Sequence, residues 1–143
     1  MKVLFVVPEI RLDSHPTNIP FWAGIFASIV EQKGGEVAIL DLNALRMNYD
    51  KQFVPDELIR KEVASEKWDL IGIGGLTSTY GRIKYLCRLT KSESSDSIFI
   101  GGGGWSSYNP TEILELVPEL NMICIGEGEE TFSELYDEIS SGG

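Results

Sequence analysis

The sequence predicts an α/β domain built on an open, doubly wound parallel sheet, and three observations predict it. Five short apolar runs stand along the chain: "KVLFVV" at 2–7, "EVAIL" at 36–40, "LIGI" at 70–73, "IFI" at 98–100 and "MICI" at 122–125. Their apolarity is continuous rather than alternating, as in strands covered on both faces. Segments of helical periodicity lie between them, so strand and helix alternate without a break.

Each helical segment has its own punctuation. The first opens near Asn18 and Pro20, carries Trp22, Ile25, Phe26 and Ile29 on one stripe, and stops at Gly34 and Gly35. The second opens at Pro55 with Asp56 and Glu57 in its first turn, where carboxylates suit the helix dipole. A third starts at about Thr79 and turns Tyr80, Ile83, Leu86 and Cys87 inward. Asn109 followed by Glu112 has the form of a capping box ahead of Ile113, Leu114 and Val117. The last helix starts near Glu129 and buries Phe132, Leu135, Tyr136 and Ile139. The expected arrangement is flavodoxin-like, in the broad sense Rossmann-like, with strand order 2-1-3-4-5.

A length of 143 residues suits one domain, and 43% apolar content is enough for one core. Twenty-two acidic against 12 basic side chains give a net charge of -10, which repels a phosphate backbone and excludes nucleic acid as a partner. No apolar run approaches the ~20 residues that span a bilayer. "MKVLFVVPEIR" lacks the apolar segment and cleavage site of a secretory signal, so no membrane contact and a cytoplasmic location are expected. Cys87 and Cys124 stand in apolar segments without C-x-x-C spacing and are expected to be buried thiols.

Ligands of such sheets bind outside the carboxyl ends of the strands. The loops there read "PEIRLDSHPTNIP", "GGLTST", "GGGGWSSYNP" and "GEGEE". Glycine allows close approach to the main chain, and Thr77, Ser78, Thr79, Ser106 and Ser107 offer hydroxyls. Any one of these glycines also serves simply to end a strand, but three glycine-rich loops on one edge favour a ligand with an extended polar part. A phosphoacceptor receiver domain would need an Asp after strand three, where Ile73 and Gly74 stand, and an acidic pair after strand one, where Pro8 and Glu9 stand. Flavin or dinucleotide binding would need a glycine-rich loop after strand one, and that loop has no glycine.

A strand ending in proline, a long loop to a Pro-led helix, "GGEVAILDL", "DLIGIGGLTSTY", a glycine-rich loop leading to "NPTEIL", and "IGEGEETFSEL" together resemble the cobalamin-binding domain at the amino end of cobalamin-dependent radical S-adenosylmethionine enzymes. The resemblance covers nearly the whole chain, and "GEGE" followed by a helix is its most specific piece. It implies a corrin ring over the carboxyl edge of the sheet and a nucleotide tail running down among the loops. Gly74, Gly75, Leu76, Thr77 and Ser78 would line the tail on one side, and Gly102, Gly103, Gly104 and Trp105 on another. Gly126 and Gly128 would let the backbone approach it, with Glu127 between them, while Glu127, Glu129 and Glu130 load the last helix with the charge its dipole favours.

Asp13 and His15 have the spacing of D-x-H-x-x-G, in which related methyl-transferring cobalamin proteins place an axial histidine, yet Asn18 stands where the glycine belongs. His15 is therefore either the cobalt ligand or a solvated loop residue. The radical enzymes generally bind cobalamin without a protein histidine, and the resemblance implies a base-off, His-off cofactor. Trp105 stands where the family often has a histidine, and its indole either packs against the corrin or fills the sheet edge. The C-x-x-x-C-x-x-C of a radical domain is missing, so S-adenosylmethionine and the [4Fe-4S] cluster are expected in an absent domain of the same parent chain. Residues 1–140 would be the cobalamin-binding domain and 141–143 the start of a linker. The expected function is a cobalamin-binding module for methyl transfer, with cyclisation left open. A degenerate structural or interaction module, or a corrinoid methyl carrier using His15, are the alternatives.

Overall fold

The computed structural model describes residues 1–16, 19–50, 52–107 and 109–142. Its elements follow in the order β1 (Lys2–Val7), α1 (Phe21–Gln32), β2 (Glu36–Asp41), α2 (Leu42–Leu45), α3 (Asp56–Ala64), β3 (Leu70–Gly74), α4 (Tyr80–Glu93), β4 (Ile98–Gly102), α5 (Gly104–Ser107), α6 (Pro110–Leu116), β5 (Met122–Cys124) and α7 (Glu129–Ser140). The strands pair in parallel in the order β2-β1-β3-β4-β5, as the alternating pattern predicts.

Strand pleating sends successive side chains to opposite faces. Leu4, Val6, Leu40, Ile71, Ile73 and Phe99 pack on one side with apolar residues of α2 to α6, among them Ile59, Val63, Ile83 and Leu86. Val3, Phe5, Val7, Leu70 and Ile100 pack on the other with Ala23, Ala27 and Val30 of α1 and Phe132 and Tyr136 of α7. The buried stripe of α1 is thus rotated from the one its large residues suggest, and Ile25 is 44% exposed. Small side chains bring the helix down onto the sheet, which leaves Trp22, Phe26 and Ile29 on its flank.

The helix starts follow local chemistry. Asn109 accepts from the Glu112 amide at 3.5 Å and donates from Nδ2 to Glu112 Oε2 at 2.7 Å, the reciprocal bonding its spacing predicts. Pro55 is the N-cap of α3 rather than its first residue. Two short helices lie where the sequence reads as strand end or loop: α2, which continues as a 3-10 turn over Arg46–Tyr49, and α5. Asp41 caps α2 by accepting from the Ala44 amide at 3.0 Å, a signal visible in "LDLNAL". Cys87 is buried and Cys124 half-buried, both as free thiols. No described helix is long and apolar enough to cross a membrane.

Candidate functional site

At the carboxyl end of the sheet, the face toward α1 and α7 receives Leu70, Gly72 and Gly74 from β3 and Ile100 and Gly102 from β4. Gly72 stands in register with Ile100, and Gly74 with Gly102. Beyond Leu70 and Ile100 these two neighbouring strands present no side chain to that face. A cavity of about 770 Å³ opens there, walled by Phe5, Trp22, Phe26, Cys124 and Phe132. That volume lies within the range of about 300–1,000 Å³ typical of small-molecule sites. Ile19, Phe21, Leu76 and Glu127 stand at the mouth, all exposed.

The glycines of the floor keep this space in two ways. A Cβ on Gly72 would stand 2.7 Å from the Phe5 ring, and one on Gly74 3.2 Å from Trp22, so the aromatic walls themselves exclude side chains there. A Cβ on Gly102 would meet nothing closer than the Cys124 carbonyl at 3.8 Å, and those on Gly104 and Gly126 would meet nothing within 4 Å. Gly126 takes φ 79°, which favours glycine by itself, whereas nothing in the protein's own packing or backbone calls for glycine at Gly102 and Gly104. This is a cradle that a Cβ would begin to fill.

Gly74, Gly75, Leu76, Gly102, Gly103, Gly104, Gly126 and Glu127 all line the cavity. Trp105 does not. It is 3% exposed, sits on α5 against the opposite face, and donates from Nε1 to the Gly102 carbonyl at 2.7 Å. Of the two placements open to its indole, the structure has it fill the sheet edge, where Gly101 makes room for it with a Cβ position 3.0 Å from the ring. Gly128 is the αL N-cap of α7, φ 79°, and its Cβ would lie 2.6 Å from Cys124 Sγ, so local geometry accounts for it without a ligand. Ser78 is exposed and outside the lining, and the side chain of Thr77 lies outside the described part of the structure. His15 is likewise exposed and not among the lining residues, while Asn18 lies outside the described residues.

Sequence reading missed the aromatic walls and Asn43. Phe5 and Phe132 sit in apolar runs and read as core; the period-two alternation of Leu70, Gly72 and Gly74 was the available signal that one face is emptied. Asn43 is placed by the loop after β1. Its Oδ1 accepts from the Ile10 amide and from Arg46 Nε, both at 3.0 Å. Arg46, 0% exposed, also donates from Nη2 to the carbonyls of Ser14 at 2.6 Å and Arg11 at 3.2 Å. Glu9 accepts from Arg82 at 2.9 and 2.7 Å and from the Val54 amide at 2.8 Å, and the Phe53 ring covers the Arg82 guanidinium at 4.2 Å. Buried Arg46 and partly buried Arg82 thus fix the loop that forms one rim of the cleft.

Among the described residues, Glu127 at the mouth is the one charged side chain of the lining. Burial pushes the Cys124 thiol up, so it faces the cavity as a neutral group. Among the described residues no three His, Cys, Asp or Glu side chains come together as a metal-holding group. What the site can do is bind an extended ligand with an apolar end, and orient it.

The B12 binding domain family matches residues 6–136, which run from β1 into α7. The chain belongs to the B12 binding domain family. This B12-binding domain is 30% identical over 145 residues to the cytidylyl-2-hydroxyethylphosphonate methyltransferase of Streptomyces wedmorensis, a match covering 92% of the chain and 27% of that enzyme. It is 21% identical over 147 residues to the anaerobic magnesium-protoporphyrin IX monomethyl ester cyclase of Rubrivivax gelatinosus, covering 99% of the chain and 25% of the cyclase. Its fold matches, with a TM-score of 0.80 and 22% identity, the radical S-adenosylmethionine methyltransferase TsrM from Kitasatospora setae, solved with cobalamin and a [4Fe-4S] cluster bound. That match covers 99% of the chain and 25% of TsrM. The B12-binding domain spans about a quarter of the length of these relatives.

Proposed function

We propose that this domain holds cobalamin with the nucleotide tail in the cleft and presents the corrin to a radical S-adenosylmethionine domain of the same parent chain, for methyl transfer. The observation that carries the reading is the glycine-lined sheet face: Gly72, Gly74 and Gly102 line a cavity of about 770 Å³ at the carboxyl edge, where this family's ligand is expected. Methyltransferases among the relatives, including one solved with cobalamin, support the choice of reaction. S-adenosylmethionine and the iron-sulfur cluster belong to the other domain in this reading.

Bound cobalamin supplies methyl-transfer chemistry at cobalt. The chain's own residues bind and orient. Gly74, Gly75 and Leu76 hold the tail from the β3 side, Gly102, Gly103 and Gly104 from the β4 side, and Gly126 and Glu127 from the β5 side, with Thr77 and Ser78 flanking the first group. His15 is left out of the site, since it stands outside the lining. Reconstitution with cobalamin followed by desalting tests the reading: one corrin absorbance equivalent retained per chain is the expected result. Complete loss of corrin on the column would return the domain to a structural or interaction role.

A further inference from the structure

We infer that the cleft selects among cobamides by the polarity of the lower base, accepting a benzimidazole and discriminating against an adenine; the inference rests on the cobalamin reading above. The inner walls are Phe5, Phe26, Leu70, Ile100 and Phe132, with Trp22 and Cys124 completing them. Among the described residues these walls hold one good hydrogen-bond donor, the Trp22 indole, and no carbonyl or carboxylate side chain.

Among the described residues, the inner walls carry no strong side-chain acceptor. Asn43 Oδ1 already accepts two hydrogen bonds, from Ile10 and Arg46. Glu127 is exposed at the mouth. The Cys124 sulfur is a weak acceptor and lies 3.8 Å from the Gly128 carbonyl. On the floor, the Gly102 carbonyl already accepts from Trp105 Nε1 at 2.7 Å. A benzimidazole displaced from the metal carries one free ring nitrogen, which a single donor satisfies, and otherwise presents carbon to the aromatic walls. An adenine brings an exocyclic amine with two N–H groups, plus further ring nitrogens, into the same space. Those groups would give up water without finding side-chain acceptors on these walls.

Titration of the native chain with three ligands tests this: cobalamin, the adenine-bearing cobamide, and cobinamide, which has no nucleotide tail. The expected result is adenine-cobamide binding at least about tenfold weaker than cobalamin, with cobinamide weaker than cobalamin as well. Equal affinity for cobalamin and the adenine cobamide, both tighter than cobinamide, would overturn the base selectivity while leaving the cobalamin reading intact. Cobinamide binding as tightly as cobalamin would overturn it too, by removing the tail from the cleft. No binding of any of the three would overturn the cobalamin reading itself.

Discussion

The two faces of the sheet are built from the same strands to different ends. Toward α2–α6, Ile71, Ile73 and Phe99 are buried against large apolar side chains, and Gly101 is filled by the indole of Trp105. Toward α1 and α7, Gly72 and Gly74 are covered by the rings of Phe5 and Trp22, while Gly102 meets nothing closer than 3.8 Å, and the cleft opens between these positions. A buried large apolar side chain contributes about 1.5–3 kcal/mol, so the cleft face forgoes several such contributions near its carboxyl edge. One face supplies stability and the other keeps a space. The division teaches where substitutions should affect folding and where they should affect binding.

The largest expected effect lies on the packed face. Phe99→Ala removes a fully buried ring there and should cost about 3–5 kcal/mol in urea denaturation. A loss below about 1 kcal/mol would break the comparison, because the packed face would then not be the stabilising one. Arg46→Met comes next. It leaves the Arg11 and Ser14 carbonyls without their guanidinium donor and should cost about 2 kcal/mol. Tryptic cleavage after Arg11 should accelerate in parallel, and an unchanged cleavage rate would show that Arg46 does not hold the loop.

A pH-dependent effect sharpens the contrast between the two thiols. Burial, with the Glu119 charge adding to it, pushes the Cys87 thiol from its ordinary 9.0 up to about 12. The folded-state value lies above the unfolded one, so the unfolded chain binds fewer protons in this interval. The contribution is fully present below pH 9.0 and is lost as pH rises toward about 12, by up to about 1.4 kcal/mol per pH unit. Cys87→Ala should flatten that part of the stability curve relative to the native chain. An identical slope in both would place Cys87 outside the packed core.

How much of this was legible in the sequence differs between the faces. Continuous apolar runs place all five strands, and their alternation with helices gives the parallel pairing, because parallel strands need those crossovers. The run "GGGG" at 101–104 shows what was hidden. Gly101 accommodates an indole, Gly102 opens the cleft, Gly103 takes φ 94° with its Cβ position 2.7 Å from the Gly75 carbonyl, and Gly104 faces open space. Four identical letters have four different surroundings, and those surroundings come from α5, β5 and the loop after β3. Arg46 was illegible for the same reason. Its partners Arg11 and Ser14 come from a distant loop, and no local pattern marks an arginine that will be fully buried. Trp105 had two placements open in the sequence, and the pleat at Gly101 decides between them.

The most direct measurement introduces a side chain where the cleft keeps space and the fold does not need it. Gly102→Val adds its methyl groups from a Cβ position whose nearest protein neighbour is 3.8 Å away. The melting transition should stay within about 0.5 kcal/mol of native, while cobalamin affinity falls by about tenfold or more. Native affinity in a stably folded Gly102→Val chain would contradict the account, since the emptied face would then not be the place where cobalamin is held.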